Sequence, residues 1–403
     1  MLNSKRIWLR EVFDLCWPLR RSTNRFPAAL RLSVYYKKRG KTMSYNDTLE
    51  EIRSKLGDSP EENDKLLRRI AADYAQAGNK EGFEAAEQLL LENLPENVRK
   101  EMLRITHVDG VRLDKMYEQI TALIREKKFV DAKSMAERLY KKITVEFREG
   151  EKSKFVSLRN PFEDNLYQRL FKPEKELKRA PFDFASYITT YAYVMTETGS
   201  PLDAIPILET AIDFNPVDCG PKFELAEVYK LLKNRKRLEE ITRDTLRVAS
   251  SPVALSRCYA NMGYLLTDAQ EYDDAAAFYT ASVMLAPNPA VPLEMQHLAD
   301  LKGSPIVRPD HGEVVEVLKK YDMELGPNQE VVTTAAELAA HYLQENDIPN
   351  AVMALKITYN LTLDENIKNL IIKYDPEAAR YVRKDNVKEE RNITQTVNES
   401  PEE

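Results

Sequence analysis

The sequence predicts an all-α protein, an α-α superhelix of stacked helical hairpins with an irregular central insert. Three observations carry this. Only 12 of the 403 residues are Gly while Leu, Ala, Glu and Lys abound, which favours helices over loop-rich sheets. Apolar residues keep helical spacing over most of residues 60–372, the periodicity of one buried helix face. Segments roughly 34 residues apart repeat one order of small, bulky and proline positions.

Residues 186–216 (SYITTYAYVMTETGSPLDAIPILETAIDFNP) are the clearest copy. Ala192 is the small residue of a first helix, with Tyr191 before it and bulky Met195 three places on. Ala204, Leu208, Ala211 and a closing Pro216 follow in a second helix. The order returns in residues 257–287. There Tyr259, Met262, Gly263 and Leu266 belong to the first helix, and Ala275, Tyr279, Ser282 and Pro287 to the second. Between them lies a copy with Leu225, Ala226, Tyr229 and Leu238, whose second helix is expected to fit poorly and run about three residues over-long.

Weaker copies flank these. Leu338, Ala339, Tyr342, Ala351 and Leu355 fall at the same spacings near the C-terminus. Leu67, Ile70, Ala71, Tyr74, Phe83, Leu90 and Pro95 do so near the start, with Glu87 as a misfit. A further pair spans residues 113–143, where Ile120, Leu123, Phe129, Ala132, Ala136 and Leu139 keep helical spacing. Together these resemble the tetratricopeptide repeat (TPR), most specifically over residues 185–287. Ile188 departs from that family's frequent Trp. The resemblance implies a TPR-like solenoid in which the small place lets two helices touch, the bulky place fills the groove between repeats, and Pro ends the second helix.

The array has expected ends and one interruption. Residues 1–42 hold eleven Lys or Arg against Glu11 and Asp14, beside an overall net charge of −6. They read as a disordered basic extension, an organellar transit peptide, or untranslated sequence ahead of a true start at Met43. The last reading goes with a bacterial source, where the codons for Lys38-Arg39-Gly40 can hold a ribosome-binding sequence. Residues 43–144 are expected to form N-terminal TPR-like repeats and 183–384 a C-terminal TPR array. The connector 145–182 contains Pro161, Pro173 and Pro181 around one short helix, and its alternation about Glu149-Gly150-Glu151 allows a short β-hairpin. Residues 301–312 lengthen a loop in a degenerate repeat. Residues 385–403 form a polar tail with the composition of a disordered segment.

Composition and motifs narrow the function. An acidic body repels phosphate backbones and anionic lipid, so neither nucleic acid nor membrane is the expected partner. No apolar run approaches the roughly 18 residues of a membrane span. Cys16, Cys219 and Cys258 show no ligand spacing, which suits a reducing, cytoplasmic location. Phosphate-cradling glycine loops, HExxH and EF-hand loops are absent. His107, His297, His311 and His341 are scattered and read as structural. No catalytic residue, metal or cofactor is expected.

The expected function is a non-catalytic scaffold for another protein or a peptide. A receptor for a short signalling peptide is the alternative, and an enzyme or enzyme regulatory subunit a third reading. By the resemblance, first helices of successive repeats line a concave groove. Its face here is Tyr193 and Thr196, then Phe223, Glu227 and Lys230, then Arg257, Asn261 and Tyr264. Aromatics with Arg are the usual anchors of such surfaces. Arg257 and Asn261 resemble one element of the carboxylate clamp of some TPR proteins. Ser186, Thr190, Gly220 and Glu224 occupy the preceding matching places, so the complete clamp is missing.

Overall fold

The computed structural model describes residues 44–378. The readings for residues 1–42 and 385–403 lie outside the described residues. The chain divides into two compact units, one comprising residues up to 157 with Leu177–Tyr187, the other Leu158–Glu176 with residues from 188 onward. The segment 145–182 is therefore apportioned between the two.

In the first unit, α1 (Tyr45–Arg53) starts at a capping box in which Ser44 and Asp47 satisfy each other's backbone N–H groups. Helix α2 (Pro60–Gln76) is capped by Ser59 with Pro60 in its first turn, where a missing N–H costs nothing. It pairs with α3 (Lys80–Glu92). Leu49, Ile52, Leu67, Ala71, Ala85 and Leu89 form the common core of α1–α3. Helix α4 (Glu96–Thr106) then leads into β1 (His107–Val108) and β2 (Val111–Arg112), an antiparallel hairpin. Its two-residue turn, Asp109-Gly110, has φ of 51° and 78°, as the left-handed centre of a tight hairpin requires. Helices α5 (Leu113–Arg125) and α6 (Phe129–Glu146) pack as a further pair.

The hairpin expected around Glu149-Gly150-Glu151 does not form. Helix α6 runs through to Glu146, and β3 (Ser153–Val156) pairs with β4 (Glu176–Arg179) beyond an intervening helix. Apolar alternation marks residues able to pair but cannot name a partner, and here the two strands are separated in the chain by α7 (Pro161–Phe171).

Helix α7 belongs to the second unit and is held there by ionic contacts. Buried Glu163 accepts from the Arg159 backbone N–H at 2.7 Å, from Arg159 Nε at 2.7 Å and from Asn215 Nδ2 at 2.9 Å. Arg159 reaches Asp218 at 3.1 Å, and Arg169 pairs with Glu330 and Glu337. Helices α8 (Phe184–Glu197), α9 (Pro201–Phe214), α10 (Cys219–Leu231), α11 (Arg235–Val248), α12 (Pro252–Asp268) and α13 (Tyr272–Leu285) follow. The unit continues with α14 (Val291–Lys302), α15 (His311–Lys320), α16 (Gln329–Gln344), α17 (Ile348–Thr362) and α18 (Glu365–Tyr374). Among the described residues no helix is long and apolar enough to cross a membrane.

Helix α11 is not over-long. It has 14 residues, as do α9 and α13, whereas α12 has 17 against 13 in α10. The extra residues that displace the repeat register lie in α12, where residues 252–256 fit the helical pattern as readily as a loop.

One turn recurs through both units. In α2/α3, α5/α6, α8/α9, α10/α11, α12/α13 and α16/α17 a three-residue link has its middle residue at positive φ, at Gly78, Lys127, Gly199, Lys233, Gln270 and Asn346. Each link closes with a backbone bond reaching five residues back, accepted by Tyr74, Leu123, Met195, Tyr229, Leu266 and Tyr342 at 2.8–2.9 Å. This is the six-to-one bond of a helix C-cap. The acceptors are the bulky residues that the repeat pattern picked out. Three residues before each stands the small or core position, Ala71, Ile120, Ala192, Ala226, Gly263 or Ala339. Gly263 shows why size matters there: a Cβ would meet the Tyr279 ring at 2.9 Å.

Candidate functional site

The residues expected to line the groove lie on α8, α10 and α12, all of them within the second unit. Because the small positions are buried, the residue after each emerges beside the packed seam. Tyr193, Glu227 and Tyr264 are those residues, and all three are half-buried. Thr196 and Lys230 are also half-buried and Arg257 is exposed. Phe223 and Asn261 lie beneath the surface, each 5% exposed. They support the face from below; neither presents a side chain outward.

Cation–ring contacts join α10 and the turn after it to α12. The Arg257 guanidinium carbon lies 4.0 Å from the Phe223 ring centroid, a cation over an aromatic quadrupole. Further along, Lys230 and Lys233 place their ammonium groups 5.4 and 5.9 Å from the Tyr264 ring centroid. Lys233 Nζ also donates to the Tyr264 hydroxyl at 3.4 Å, and Lys230 pairs with Glu227 at 2.9 Å. Thr196 donates its hydroxyl to the Ala192 carbonyl of its own helix at 3.1 Å.

The electrostatics are mixed. Burial raises the Glu224 carboxyl above its usual range, Arg257 opposes that shift, and Glu227 and Glu197 add to it. Burial likewise raises the Tyr193 phenol, with Glu197 and Glu224 adding to the effect. Glu197 lies near Tyr193 and Lys233 over the Tyr264 ring, and the sequence pattern marks out neither. Glu197 ends α8 and Lys233 is the left-handed residue of a turn. A positive-φ Lys has no signature, so its direction was invisible until the turn was formed.

Nucleophilic chemistry finds no support in the cysteines of this region. Burial pushes the Cys219 thiol up to about 12 and holds the Cys258 thiol well above its usual range. A thiol is a nucleophile only as thiolate. Among the described residues, no group of three or more His, Cys, Asp or Glu is placed to hold a metal ion.

No family model and no curated protein sequence matches this chain. Solved structures do. A tetratricopeptide repeat protein from Parabacteroides merdae ATCC 43184 aligns with 78% of this chain and 99% of its own, at 13% identity and a TM-score of 0.35. The TPR domain of P58(IPK) aligns over 88% and 98%, at 13% identity and a TM-score of 0.28. A human IFIT1 dimer with PPP-AAAA aligns over 92% and 99%, at 14% identity and a TM-score of 0.21. The assignment of fold rests on the molecule itself: six helical pairs share one turn, one acceptor position and one small or core position. That geometry makes the fold a TPR-like stack of helical hairpins.

Proposed function

We propose that this chain is a non-catalytic scaffold that binds another protein or a peptide on the face formed by α8, α10 and α12. The carrying observation is the row of half-buried Tyr193, Glu227, Lys230 and Tyr264 beside exposed Arg257, in which Lys230 of α10 lies over the Tyr264 ring of α12 and Arg257 of α12 over the Phe223 ring of α10. Aromatic rings fixed in place lose little entropy on binding, and neighbouring charges of both signs set register and selectivity. Phe223 serves as the platform that orients Arg257.

The test is affinity capture with the full chain, followed by measured affinity for the recovered partner. Tyr193→Ala combined with Tyr264→Ala should weaken that affinity by about thirtyfold, the loss of two aromatic anchors. Circular dichroism and melting must match the parent chain. A folded double variant with unchanged affinity would overturn the reading.

A further inference from the structure

The first unit contains a cavity of about 330 Å³ that lies apart from the α8/α10/α12 face. Its apolar wall includes Leu91, Leu94 and Met102, and its polar side Tyr45, Glu87 and His107. The β1–β2 hairpin and the start of α5 set the polar side, because Arg112 ends β2 and Asp114 opens the helix.

The cations here already have partners. Arg112 spends Nε and one terminal nitrogen on Asp114, at 2.6 Å each, and its other terminal nitrogen on Glu87 at 2.7 Å. Lys115 is engaged by Glu84 and, at 3.5 Å, by Glu118. An incoming anion would have to displace a carboxylate already in place.

Acceptors remain. The Glu87 side chain is only 18% exposed, and Arg112 occupies one of its two oxygens, Oε2. At His107 the tautomer follows from its neighbour. Thr106 gives its single hydroxyl proton to the Met102 carbonyl at 2.7 Å, while its oxygen lies 2.9 Å from His107 Nδ1. In that arrangement Nδ1 carries the hydrogen and donates to the Thr106 oxygen, and Nε2 is left as an acceptor.

We propose that this cavity binds an ammonium group carried on an apolar body, with Glu87 and His107 as acceptors and the Leu91, Leu94 and Met102 wall enclosing the body. A free aryl- or alkylamine and the N-terminal residue of a peptide share this chemistry. A charge-assisted bond to a poorly solvated carboxylate is stronger than one in water, and the apolar wall supplies the remaining contact.

Calorimetric titration of the full chain tests this with four probes: 2-phenylethylamine, 2-phenylethanol, 3-phenylpropanoate and a tripeptide amide beginning with a free Phe. The amine should bind at least about tenfold more tightly than the alcohol, the worth of one charge-assisted bond, and the propanoate most weakly. Tighter binding by the tripeptide than by phenylethylamine, abolished by N-acetylation, identifies a peptide N-terminus; the reverse order identifies a free amine. Glu87→Gln should erase the preference for amine over alcohol. Leu94→Trp, which fills the cavity and leaves the ion pairs alone, should abolish binding even if the first variant folds poorly. Absence of amine binding, equal binding of amine and alcohol, or preference for the propanoate overturns the proposal.

Discussion

The Arg257 guanidinium carbon sits 4.0 Å from the centroid of the Phe223 ring, which is itself 5% exposed. The two residues therefore play different parts, one structural and one at the surface. Phe223→Ala should destabilise the fold by about 3–5 kcal/mol, the range for truncating a buried aromatic. Arg257→Ala should cost about 1 kcal/mol or less, the worth of an exposed cation–π contact. Urea denaturation of both variants checks the ordering, and equal losses would contradict it.

Gly263 and Ala192 occupy the same place in two repeats. Gly263→Leu and Ala192→Leu should each destabilise by about 1–3 kcal/mol through over-packing. Gly82 is tighter still, because a Cβ there would lie 2.5 Å from the Tyr74 ring. Gly82→Ala should lower the melting temperature in spite of the better helix propensity of Ala. An unchanged melting temperature in all three would mean that the helix seams run elsewhere.

Lys222 is 1% exposed and pairs with Asp244, which is 40% exposed. Removing each partner should have unequal effects. Asp244→Ala leaves a buried ammonium uncompensated and should cost about 3 kcal/mol or more. Lys222→Met keeps the volume, leaves a carboxylate that water can reach, and should be close to neutral. Chemical denaturation at pH 7 distinguishes these outcomes.

Burial and the neighbouring Arg112 hold the His107 imidazole below its usual range. The folded ring resists the proton that the unfolded ring accepts near pH 6.5. Its contribution is thus whole above about pH 6.5 and is lost as pH falls toward the lower folded value. Comparing stability at pH 7.5 and pH 5 should show a smaller acid loss in His107→Gln than in the parent. An identical acid loss in both would remove His107 from the account.

Four of the six recurring turns place a residue other than Gly at positive φ. Gln270→Gly relieves that strain, at φ 64°, and should raise stability by about 0.5–1 kcal/mol, the left-handed penalty less the entropy of the added Gly. Thermal melting provides the measurement, and a decrease would show that the Gln270 side chain makes a stabilising contact.

Much of this architecture was legible before any fold existed. Ala71, Ile120, Ala192, Ala226, Gly263 and Ala339, with their bulky partners three residues on, disclosed six helical pairs, because a repeat must restate its packing chemistry every time it is built. Other features were local yet missed, such as the Asp109-Gly110 hairpin, whose dipeptide is a turn signal in its own right.

What the sequence by itself determined is the helical period and where small residues allow close approach, both set by neighbours within one or two turns. Only tertiary structure decided that β3 pairs with β4 across α7, that Phe223 lies beneath Arg257, and that Glu87, the misfit of the first repeat, borders a cavity with Arg112 across from it. Strand partners, burial at a seam and the pairing of charges depend on residues distant in the chain. Their energies exist only once folding has brought those residues together.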